Sequence, residues 1–401
     1  MPRNISAVLF AIIACLCIQT LAAQVEGVTG GKKPTLPRPY ATSSSGNPAD
    51  LTEAPKGFLP TVPEGFQVNR FAEKFDEPRW LAVAPNGDVF VAESGAGKVV
   101  ILRDPQHTGG AQQREVFESG FNRPYGIAFH ENYVYIGSRD EITRFVFDPK
   151  TSNRLGEKEH ILSLPSGGHW TRSLAFTADG KHLLIGVGSD SNVGIEPEIR
   201  AAITICDLDG KHARIFASGL RNPGGGLAIE PKTGQVWTSV NERDGLGDDL
   251  PPDYITSVRD GGFYGWPYSY IGDNADDRVS QQRPDLVAKA IVPDVLVGAH
   301  VAALQFAFYT GTQFPEKYRG GIFLAEHGSW NRSVRQGYQV VFIPMKDGRP
   351  TGGPEVFFSG FVPDANKRQV YGQPVGVAVA SDGALLVSDD GAGVIWRISN
   401  K

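Results

Sequence analysis

A short unit recurs along the chain, and it limits what the sequence can fold into. Each copy has an apolar strand, a turn rich in Gly, Asn or Asp, and a second strand of alternating apolar residues. A hairpin of this kind cannot bury its apolar face alone, so neighbouring copies must stack to build a core. The six copies are LAVAPNGDVFVAES, GIAFHENYVYIGS, LAFTADGKHLLIGV, LAIEPKTGQVWTSV, LQFAFYTG with GGIFLAEH, and VAVASDGALLVSDD.

The spacing of the copies predicts a ring of small sheets. The intervals between successive turn residues are 45, 48, 54, 77 and 72 residues, measured at Gly87, Asn132, Gly180, Gly234, Gly311 and Gly383. The shorter intervals fit one four-stranded blade. The 48 glycines and 28 prolines favour turns over helices, and hardly any long segment has helical periodicity. We therefore predict an all-β fold, a six-bladed β-propeller with four-stranded antiparallel blades.

The two long intervals leave an alternative open. Each is long enough to hold an extra blade, which would give seven or eight blades. Their excess length is filled by loop-like sequence such as NERDGLGDDLPPD, so inserted loops are the simpler account. We expect the ring to close by pairing of the strand in GFQVNRF with the C-terminal blade that ends in VIWRIS.

The N-terminal residues 1–23 are predicted to be a signal peptide. A basic start at Arg3 precedes an apolar stretch from Ala7 to Ile18, and small residues end at Ala23. This pattern predicts a secreted or periplasmic protein. Two alternatives would keep the chain near a membrane, namely an uncleaved signal that acts as an anchor and a lipid attached at Cys15.

The remainder divides into an arm and a propeller. Residues 24–65 are rich in Pro, Gly, Ser and Thr, a composition that cannot build its own core, and they are predicted to be an extended arm or linker. Residues 66–401 form the predicted propeller. Outside the signal the chain has only Cys206, which excludes an internal disulfide. A net charge of −5 without a basic run gives no indication of nucleic-acid binding.

Polar residues recur just before the first strand of several blades. In a propeller these positions lie on one face around the central channel, where convergent donors suit an anionic ligand. The alternative is that the arginines bond the backbone of neighbouring blades. The residues at these positions are Arg79, Arg123, His169, Arg172, Arg221, Asn222 and Gln373.

His169 is the candidate catalytic base. A neutral imidazole can accept the proton of an alcohol as that alcohol is oxidised. The preceding pair, Gly167 and Gly168, lacks side chains and would let a bulky ligand approach the ring. Asp190, at the far end of the same hairpin, is a candidate to orient the imidazole. The alternative is a histidine with a purely structural hydrogen bond.

A second polar cluster lies in VNERDGLGDDLPPDY, where acidic residues stand among glycines and prolines. Close carboxylates repel one another unless a cation joins them, so a hard oxygen-bound ion such as Ca²⁺ is predicted. The spacing is not that of an EF-hand, and a solvated acidic loop is the alternative. The acidic residues are Glu242, Asp244, Asp248, Asp249 and Asp253.

A third segment, AEHGSWNR, ends a strand at His327 and supplies Trp330 and Arg332. Trp330 could stack on a flat ligand, and Arg332 could pair with ligand carboxylates in bidentate fashion. The alternative is a simple turn between two strands. His300 precedes the fifth copy as His169 precedes the third.

These motifs together resemble the soluble pyrroloquinoline quinone (PQQ)-dependent sugar dehydrogenases, the glucose and L-sorbosone dehydrogenase group, and more closely their sorbosone or pyranose dehydrogenase branch. The resemblance covers about residues 60 to 399. The motifs that carry it are GGHWTRSLAF, GLRNPGGGLA, VNERDGLGDDLPPDYI, GGFYGWPY, FYTGTQFPEKYRGGIFLAEHGSWNR and QPVGVAVASDGALLVSDDGAGVIWRI.

The resemblance implies a six-bladed propeller that binds PQQ and Ca²⁺ in a cleft at one end of the ring. It places the general base at His169 and a cofactor-binding pair at Arg221 and Asn222. The calcium loop, which coordinates through backbone oxygens, falls near Asp244 and Gly245. In the same way, Arg332 corresponds to a further cofactor contact.

The implied reaction oxidises an aldose or sugar aldehyde by hydride transfer to PQQ. The chain has no C-x-x-C-H haem-attachment motif. Electrons are therefore expected to pass to a separate partner, a cytochrome or a quinone.

The chain departs from the family at one position. Gln373 stands before PVGVAV, where the family usually has an arginine. Loss of a charged hydrogen bond would weaken the binding of a tricarboxylate by about 1.5 to 3 kcal/mol.

Two other functions stay open because propellers host many unrelated functions. They are a non-catalytic propeller that binds sugar or protein and a calcium-dependent hydrolase of the lactonase type.

Overall fold

The computed structural model describes residues 25–106 and 108–401. The predicted signal peptide lies outside the described residues. Within these ranges no helix has the length and apolar character needed to cross a membrane.

The arm, residues 25–65, runs over the surface of the propeller and is bound to it at several points. Strand β1 (Glu26–Val28) adds a fifth strand to one blade, and strand β2 (Asp50–Leu51) pairs in parallel with a short strand near residue 370. An isolated bridge joins Thr61 to Ser359. The arm therefore obtains its hydrogen bonds from the propeller and has no sheet of its own.

Strand β3 (Phe66–Glu73) begins the propeller. The first three blades follow in chain order, each with four antiparallel strands in sequence order. Blade one comprises β4 (Pro78–Val83), β5 (Val89–Glu93), β6 (Lys98–Arg103) and β7 (Gln113–Ser119), blade two comprises β8 (Ile127–His130), β9 (Tyr133–Gly137), β10 (Glu141–Val146) and β11 (Glu159–Ser163), and blade three comprises β12 (Leu174–Phe176), β13 (His182–Val187), β14 (Ala202–Asp207) and β15 (Arg214–Ser218).

Blade four contains the first long insertion. Its strands are β16 (Gly226–Ile229), β17 (Val236–Val240), β18 (Pro252–Val258) and β22 (Val295–Ala299), and a 3-10 helix, Pro223–Gly225, precedes it. Between β18 and β22 the chain forms β19 (Gly262–Phe263), which pairs in parallel with β15, the hairpin of β20 (Ser269–Tyr270) and β21 (Asn274–Ala275), and the short helix α1 (Pro284–Val287).

Blades five and six complete the ring. Blade five comprises β23 (Ala303–Phe308), β24 (Ile322–Glu326), β25 (Gln339–Ile343) and β28 (Glu355–Phe358), with a 3-10 helix at Glu316–Tyr318 and a small hairpin of β26 (Met345–Lys346) and β27 (Arg349–Pro350). After β29 (Gln369–Val370), the partner of β2, blade six comprises β30 (Pro374–Val379), β31 (Leu385–Asp389), β32 (Val394–Asn400) and the N-terminal strand β3.

The six-bladed prediction is confirmed, and the ring closes as expected. Strand β3 pairs antiparallel with β32, so that Phe66 lies opposite Asn400 and Glu73 lies opposite Val394. The long intervals hold loops, a short helix and minor strands, and they contain no additional blade. The first strand of each blade contacts the first strands of its neighbours around the axis.

The core lies between blades. The second strands β5, β17, β24 and β31 are buried along their whole length because a neighbouring blade covers each face. One core cluster joins residues of blades five and six, among them Phe314, Phe357 and Trp396. Packing between blades therefore holds the start of every first strand in a defined place around the axis.

Candidate functional site

A cavity of about 270 Å³ lies where the first strands of the blades begin and the second strands end. Antiparallel neighbours run in opposite directions, so these two kinds of strand end meet at one edge of each blade. Short loops at that edge place polar side chains from four blades around one space. The lining residues are Arg79, His169, Trp170, Thr171, Arg221, Asn222, Asn241, Glu242, Asp244, Asp253, His300, Ala302, Leu304, His327, Gly328, Trp330 and Asn331.

His169 lines the cavity from the loop before β12, and backbone groups fix its ring. Its Nδ1 lies 2.8 Å from the carbonyl oxygen of Ser189 and 3.1 Å from the hydroxyl of the same residue. A carbonyl oxygen can only accept, so Nδ1 carries the proton and Nε2 is the unprotonated nitrogen. Among the described residues Nε2 has no hydrogen-bond partner.

The electrostatic surroundings keep this imidazole neutral. Burial, followed by the positive charge of Arg221, lowers the pKa of His169 to about 4, although the hydrogen bond to the Ser189 carbonyl acts in the opposite direction. The ring is therefore an uncharged proton acceptor at neutral pH. The preceding Gly168 serves loop packing, because a Cβ there would lie 2.3 Å from the Cα of Asp190.

Asp190 does not orient His169, contrary to our prediction. Its carboxylate lies 3.6 Å from the guanidinium of Arg200, and its side chain is 58% exposed. The Ser189 carbonyl takes the expected role instead. A backbone group leaves no signal in the sequence, which is why the neighbouring carboxylate was the residue predicted.

Arg172 lies beneath the His169 loop and does not line the cavity. Its guanidinium donates to the carbonyl oxygens of His169 at 2.7 Å, Thr171 at 2.8 Å and Pro165 at 2.6 Å. Burial, followed by the charge of Arg200, lowers the pKa of Arg172 to about 9. We predicted a cofactor contact, and the geometry makes Arg172 a support for the loop that presents His169.

Arg123 is also outside the cavity lining. It pairs with Glu77, and its guanidinium lies 4.1 Å from the ring centre of Trp170, which does line the cavity. Arg123 and Arg172 therefore have structural partners, but Arg123 pairs with a carboxylate and Arg172 bonds the backbone of its own loop, so the alternative of bonds to the backbone of neighbouring blades does not describe them.

The adjacent pair Arg221 and Asn222 lies in the cavity wall. Arg221 donates to the carbonyl oxygen of Glu242 at 2.6 Å, and its other nitrogen lies 3.3 Å from a carboxylate oxygen of Asp244. The Asn222 side chain accepts from Gly224 at the start of the 3-10 helix, and its amide donates to the Asn241 side chain at 3.3 Å. Both residues are buried, which defines the direction of their polar groups.

Three residues of the acidic cluster, Glu242, Asp244 and Asp253, line the cavity. One carboxylate oxygen of Glu242 accepts from the side chain of buried Arg243 at 2.9 Å, and the other is buried without a described partner. The carboxylate of Asp244 lies between Arg221 and the amide of Asn331. These side chains therefore hold the cavity wall together through ion pairs and hydrogen bonds.

Asp248 and Asp249 lie elsewhere. The Asp248 carboxylate accepts from the backbone and hydroxyl of Ser333. Asp249 pairs with Arg332 at 2.7 Å, and Arg332 also donates to the Asp248 carbonyl oxygen. Asp248 and Asp249 were predicted as metal ligands and Arg332 as a cofactor contact, but none of the three lines the cavity. Instead they join the loop around residue 248 to the loop around residue 332.

No group of three or more His, Cys, Asp or Glu side chains in residues 25–106 and 108–401 is placed to hold a metal ion. Gly245, which the family resemblance assigns to the calcium loop, has a positive φ of 91° and lies close to Arg278. The donor set therefore does not resemble the side-chain cage of a calcium-dependent lactonase, in which carboxylates from several blades meet at one ion.

His327 lines the cavity, and a carboxylate outside the lining holds it. Nε2 of His327 lies 2.9 Å from Asp390, whose other oxygen accepts from Arg79. Burial alone would raise the pKa of Asp390, but the charges of His327 and Arg79 lower it to about 2. The amide of Gln373 stands behind His327, 3.5 Å from its Nδ1, and is not in the cavity lining.

Two tryptophans give the cavity flat surfaces. Trp330 lies in the lining and is 54% exposed, while Trp170 is stacked on the two arginines Arg79 and Arg123. His300 is buried beside Asn331 and bonds the carbonyl oxygen of Gly247 at 2.9 Å. The cavity therefore combines aromatic faces with amide, guanidinium and imidazole donors.

Sequence reasoning missed several residues of the wall. Asn241 follows the end of β17 as Ser189 follows β13 and His327 follows β24, so counting from the ends of second strands would have found it. Asp253 belongs to the acidic cluster but was not predicted as a metal ligand, and it lies in β18 at the cavity wall. Burial raises its pKa to about 7, although backbone N–H groups of Glu242 and Ala302 donate to it.

Comparison with known proteins agrees with this architecture. The profile of the TrAA12-like family matches residues 60–251 and 273–401. An uncharacterized protein of Borreliella burgdorferi is 28% identical over 354 residues, covering 84% of this chain and 90% of that protein. A pyrroloquinoline quinone-dependent pyranose dehydrogenase of Coprinopsis cinerea is 23% identical over 400 residues, and the match covers 84% of this chain but only 54% of the dehydrogenase.

Solved structures share the fold. The iodide structure of a Trichoderma reesei carbohydrate-active enzyme of family AA12 superimposes with a TM-score of 0.74 at 19% identity, over 88% of this chain and all of that chain. The holo form of the PQQ domain of the Coprinopsis cinerea pyranose dehydrogenase has a TM-score of 0.72 at 20% identity, over 87% of this chain and 98% of that chain. At these identities the likeness establishes the fold.

Proposed function

Because the chain belongs to the TrAA12-like family, we propose that it is a PQQ-dependent oxidoreductase that oxidises an aldose or a sugar aldehyde. The His169 geometry is the observation that carries this proposal. An imidazole held neutral, with Nδ1 on a carbonyl and Nε2 without a described partner, lines a cavity rich in hydrogen-bond donors. That arrangement suits removal of a hydroxyl proton.

The cavity wall fits a flat anionic cofactor. Arg79 and Arg221 supply guanidinium groups, and Asn222, Asn241 and Asn331 supply amides. Nε of Arg79 is buried without a described partner. A small shift of this side chain would let Nε donate a hydrogen bond to a bound ligand. We propose that these groups hold the carboxylates and carbonyls of PQQ, with Trp330 beside the ring system.

When bound, PQQ supplies a two-electron acceptor for the hydride that leaves the sugar. His169 accepts the hydroxyl proton at Nε2, and the Ser189 carbonyl stabilises the resulting imidazolium through Nδ1–H. Arg172 holds the carbonyl oxygens around His169, so the imidazole keeps its position during proton transfer. The proton and the hydride thus leave the same sugar carbinol group.

The finer features of the proposal rest on the resemblance and on the names of relatives. A sorbosone-like or pyranose-like sugar is the proposed substrate, and a cytochrome or a quinone is the proposed external electron acceptor. Export to a secreted or periplasmic location follows the N-terminal pattern. The resemblance also implies calcium, but the backbone carbonyl of the loop assigned to it already accepts two hydrogen bonds.

Titration of the purified protein with PQQ tests the proposal. Binding is followed by absorbance and fluorescence, and then aldoses and sugar aldehydes are added under anaerobic conditions. We expect saturable binding and substrate-driven reduction of the bound quinone. A folded protein that binds no PQQ would contradict the proposal and favour a propeller that binds sugar or protein without catalysis.

The His169→Ala variant separates the base from the binding site. We expect it to retain PQQ binding and to lose at least about 100-fold in the reduction rate, the ordinary contribution of a general base. His212→Ala is the matched control, because His212 is exposed and pairs only with Asp207 on the surface. An unchanged reduction rate in His169→Ala would exclude His169 as the base.

A further inference from the structure

The backbone carbonyl of Asp244 is already occupied on both sides. Nη1 of Arg278 donates to this oxygen at 2.7 Å, and the amide of Asn192 donates to it at 3.0 Å. A carbonyl oxygen has two lone pairs, so these donors satisfy it. The resemblance assigns this same carbonyl to the loop that would bind Ca²⁺.

Arg278 is anchored firmly in this position. Its guanidinium makes two parallel bonds to Asp276, from Nε to Oδ1 at 2.8 Å and from Nη2 to Oδ2 at 2.7 Å. Asp276 is buried and also accepts from fully buried Arg243 at 3.0 Å. Moving Arg278 would remove one of the two arginines that neutralise this buried carboxylate. A buried charge without its partner is destabilising, so Arg278 stays in place.

Gly245 leaves the space that the guanidinium needs. A Cβ at Gly245 would lie 3.0 Å from Nη1 of Arg278, and the backbone there has a φ of 91°, which favours glycine. The loop conformation and the side chain of Arg278 are therefore matched to each other.

Other oxygens close to the Asp244 carbonyl are also in use. The Glu242 carbonyl accepts from Arg221, and the Asp244 carboxylate lies between Arg221 and Asn331. One carboxylate oxygen of Glu242 has no described partner. Calcium takes six to eight oxygen ligands, and the two carboxylates that would attract it are already paired with guanidinium groups, Glu242 with Arg243 and Asp244 with Arg221.

We infer that Arg278 and Asp276 form a latch that closes the Asp244 loop, so that this chain binds its quinone cofactor without calcium. The inference rests on the proposed function for the identity of the cofactor. In this arrangement Arg221 is a positive charge that faces the ligand beside the loop, and Arg278 holds the loop at the Asp244 carbonyl. The latch is a property of this chain's own residues and makes a divalent cation unnecessary.

The test measures PQQ affinity by equilibrium titration, once in excess chelator and once in millimolar calcium. The calcium content of the desalted protein is measured with and without PQQ. The variants are Arg278→Gln, which removes the charge, and Arg278→Lys, which keeps it. Arg283→Gln is the matched control, because Arg283 makes the same two-bond contact with Asp285 at an exposed site.

For the wild type we expect equal PQQ affinity in both buffers, within about twofold, and less than about 0.1 calcium per chain. Arg278→Gln should lose at least about tenfold in affinity in chelator, and calcium should restore part of it because the carbonyl is released. Arg278→Lys should lie between the two, and Arg283→Gln should match the wild type.

Three results would overturn the latch. They are a wild type whose PQQ affinity needs calcium, one calcium bound per chain, and an Arg278→Gln variant indistinguishable from the wild type in both buffers. If PQQ binds in neither buffer, the proposed function fails. The calcium content of the cofactor-free protein then decides about the latch alone, because bound calcium contradicts it and its absence supports the closed loop.

Discussion

His169 shows how one side chain acquires a chemical role from its surroundings. Burial and the charge of Arg221 destabilise the imidazolium, and the Ser189 carbonyl selects the tautomer with a free Nε2. The folded protein therefore resists protonation of His169 more than an unfolded chain does. Between pH 6.5 and about 4 this group makes folding less favourable as the pH falls, since the unfolded state binds the proton first.

The pH dependence of sugar oxidation should report this shift. We expect the acidic limb of kcat/KM to fall near pH 4, where His169 becomes protonated and can no longer accept a proton. Initial rates from pH 3.5 to 8 in buffers of constant ionic strength measure it. Asp190→Asn should show the same limb, because Asp190 contacts Arg200 and not His169. A limb near pH 6.5, or one that moves in Asp190→Asn, would refute this account of the base.

At the scale of elements, the arm shapes the mouth of the cavity. Asn47 donates through its backbone to the carbonyl oxygen of Trp330 at 2.6 Å, and its amide donates to the carbonyl oxygens of Arg332 and Ser333. The Arg335 guanidinium donates to the backbone carbonyl oxygen and to the side-chain oxygen of the same asparagine. The arm thus supports the loop that presents Trp330, although the family profile begins only at residue 60.

Asn47→Ala tests this support. Loss of the side-chain bonds should loosen residues 329–336, so we expect faster amide hydrogen exchange there and a KM for sugar raised several-fold, with kcat within about twofold. Asn366→Ala is the control, because the Asn366 side chain bonds only Asp364 on the surface. Unchanged exchange in residues 329–336 would show that the arm does not position this loop.

At the scale of the whole molecule, closure of the ring determines stability. Phe66 in β3 is only 4% exposed and packs edge-to-face on Phe314, Tyr318 and Phe357, with ring centres 4.7, 5.5 and 5.1 Å away. It therefore joins the N-terminal strand of blade six to the aromatic core of blade five. Because every blade is packed between two neighbours, loosening this junction removes support from the entire ring.

Phe66→Ala should therefore lower the free energy of unfolding by about 3 to 5 kcal/mol. Urea unfolding followed by both fluorescence and circular dichroism measures the change and tests whether a single transition remains. Leu155→Ala, at a side chain that is 66% exposed, should stay within about 0.5 kcal/mol of the wild type. A loss below about 1 kcal/mol in Phe66→Ala would mean that ring closure adds little to stability.

The repeating hairpins, the number of blades and the face that carries the polar residues follow from the order of residues along the chain. Hairpins depend on local chemistry, and four of the five glycines at the predicted turns adopt positive φ, at Gly87, Gly180, Gly234 and Gly383. The hairpin determines where the residues at the ends of its strands lie. His169, Arg221 and Asn222 were found in this way, and they line the cavity.

The partner of each charged residue depends instead on how the folded blades pack. Arg332 pairs with Asp249 across 83 residues of chain, and Arg278 reaches Asp244 across 34. Long charged side chains bind whichever carboxylate or carbonyl the packing brings near, and a backbone carbonyl such as that of Ser189 has no signature in the sequence. Packing between blades sets these distances, so the roles of Arg172, Asp190 and the acidic loop became clear only in the folded ring.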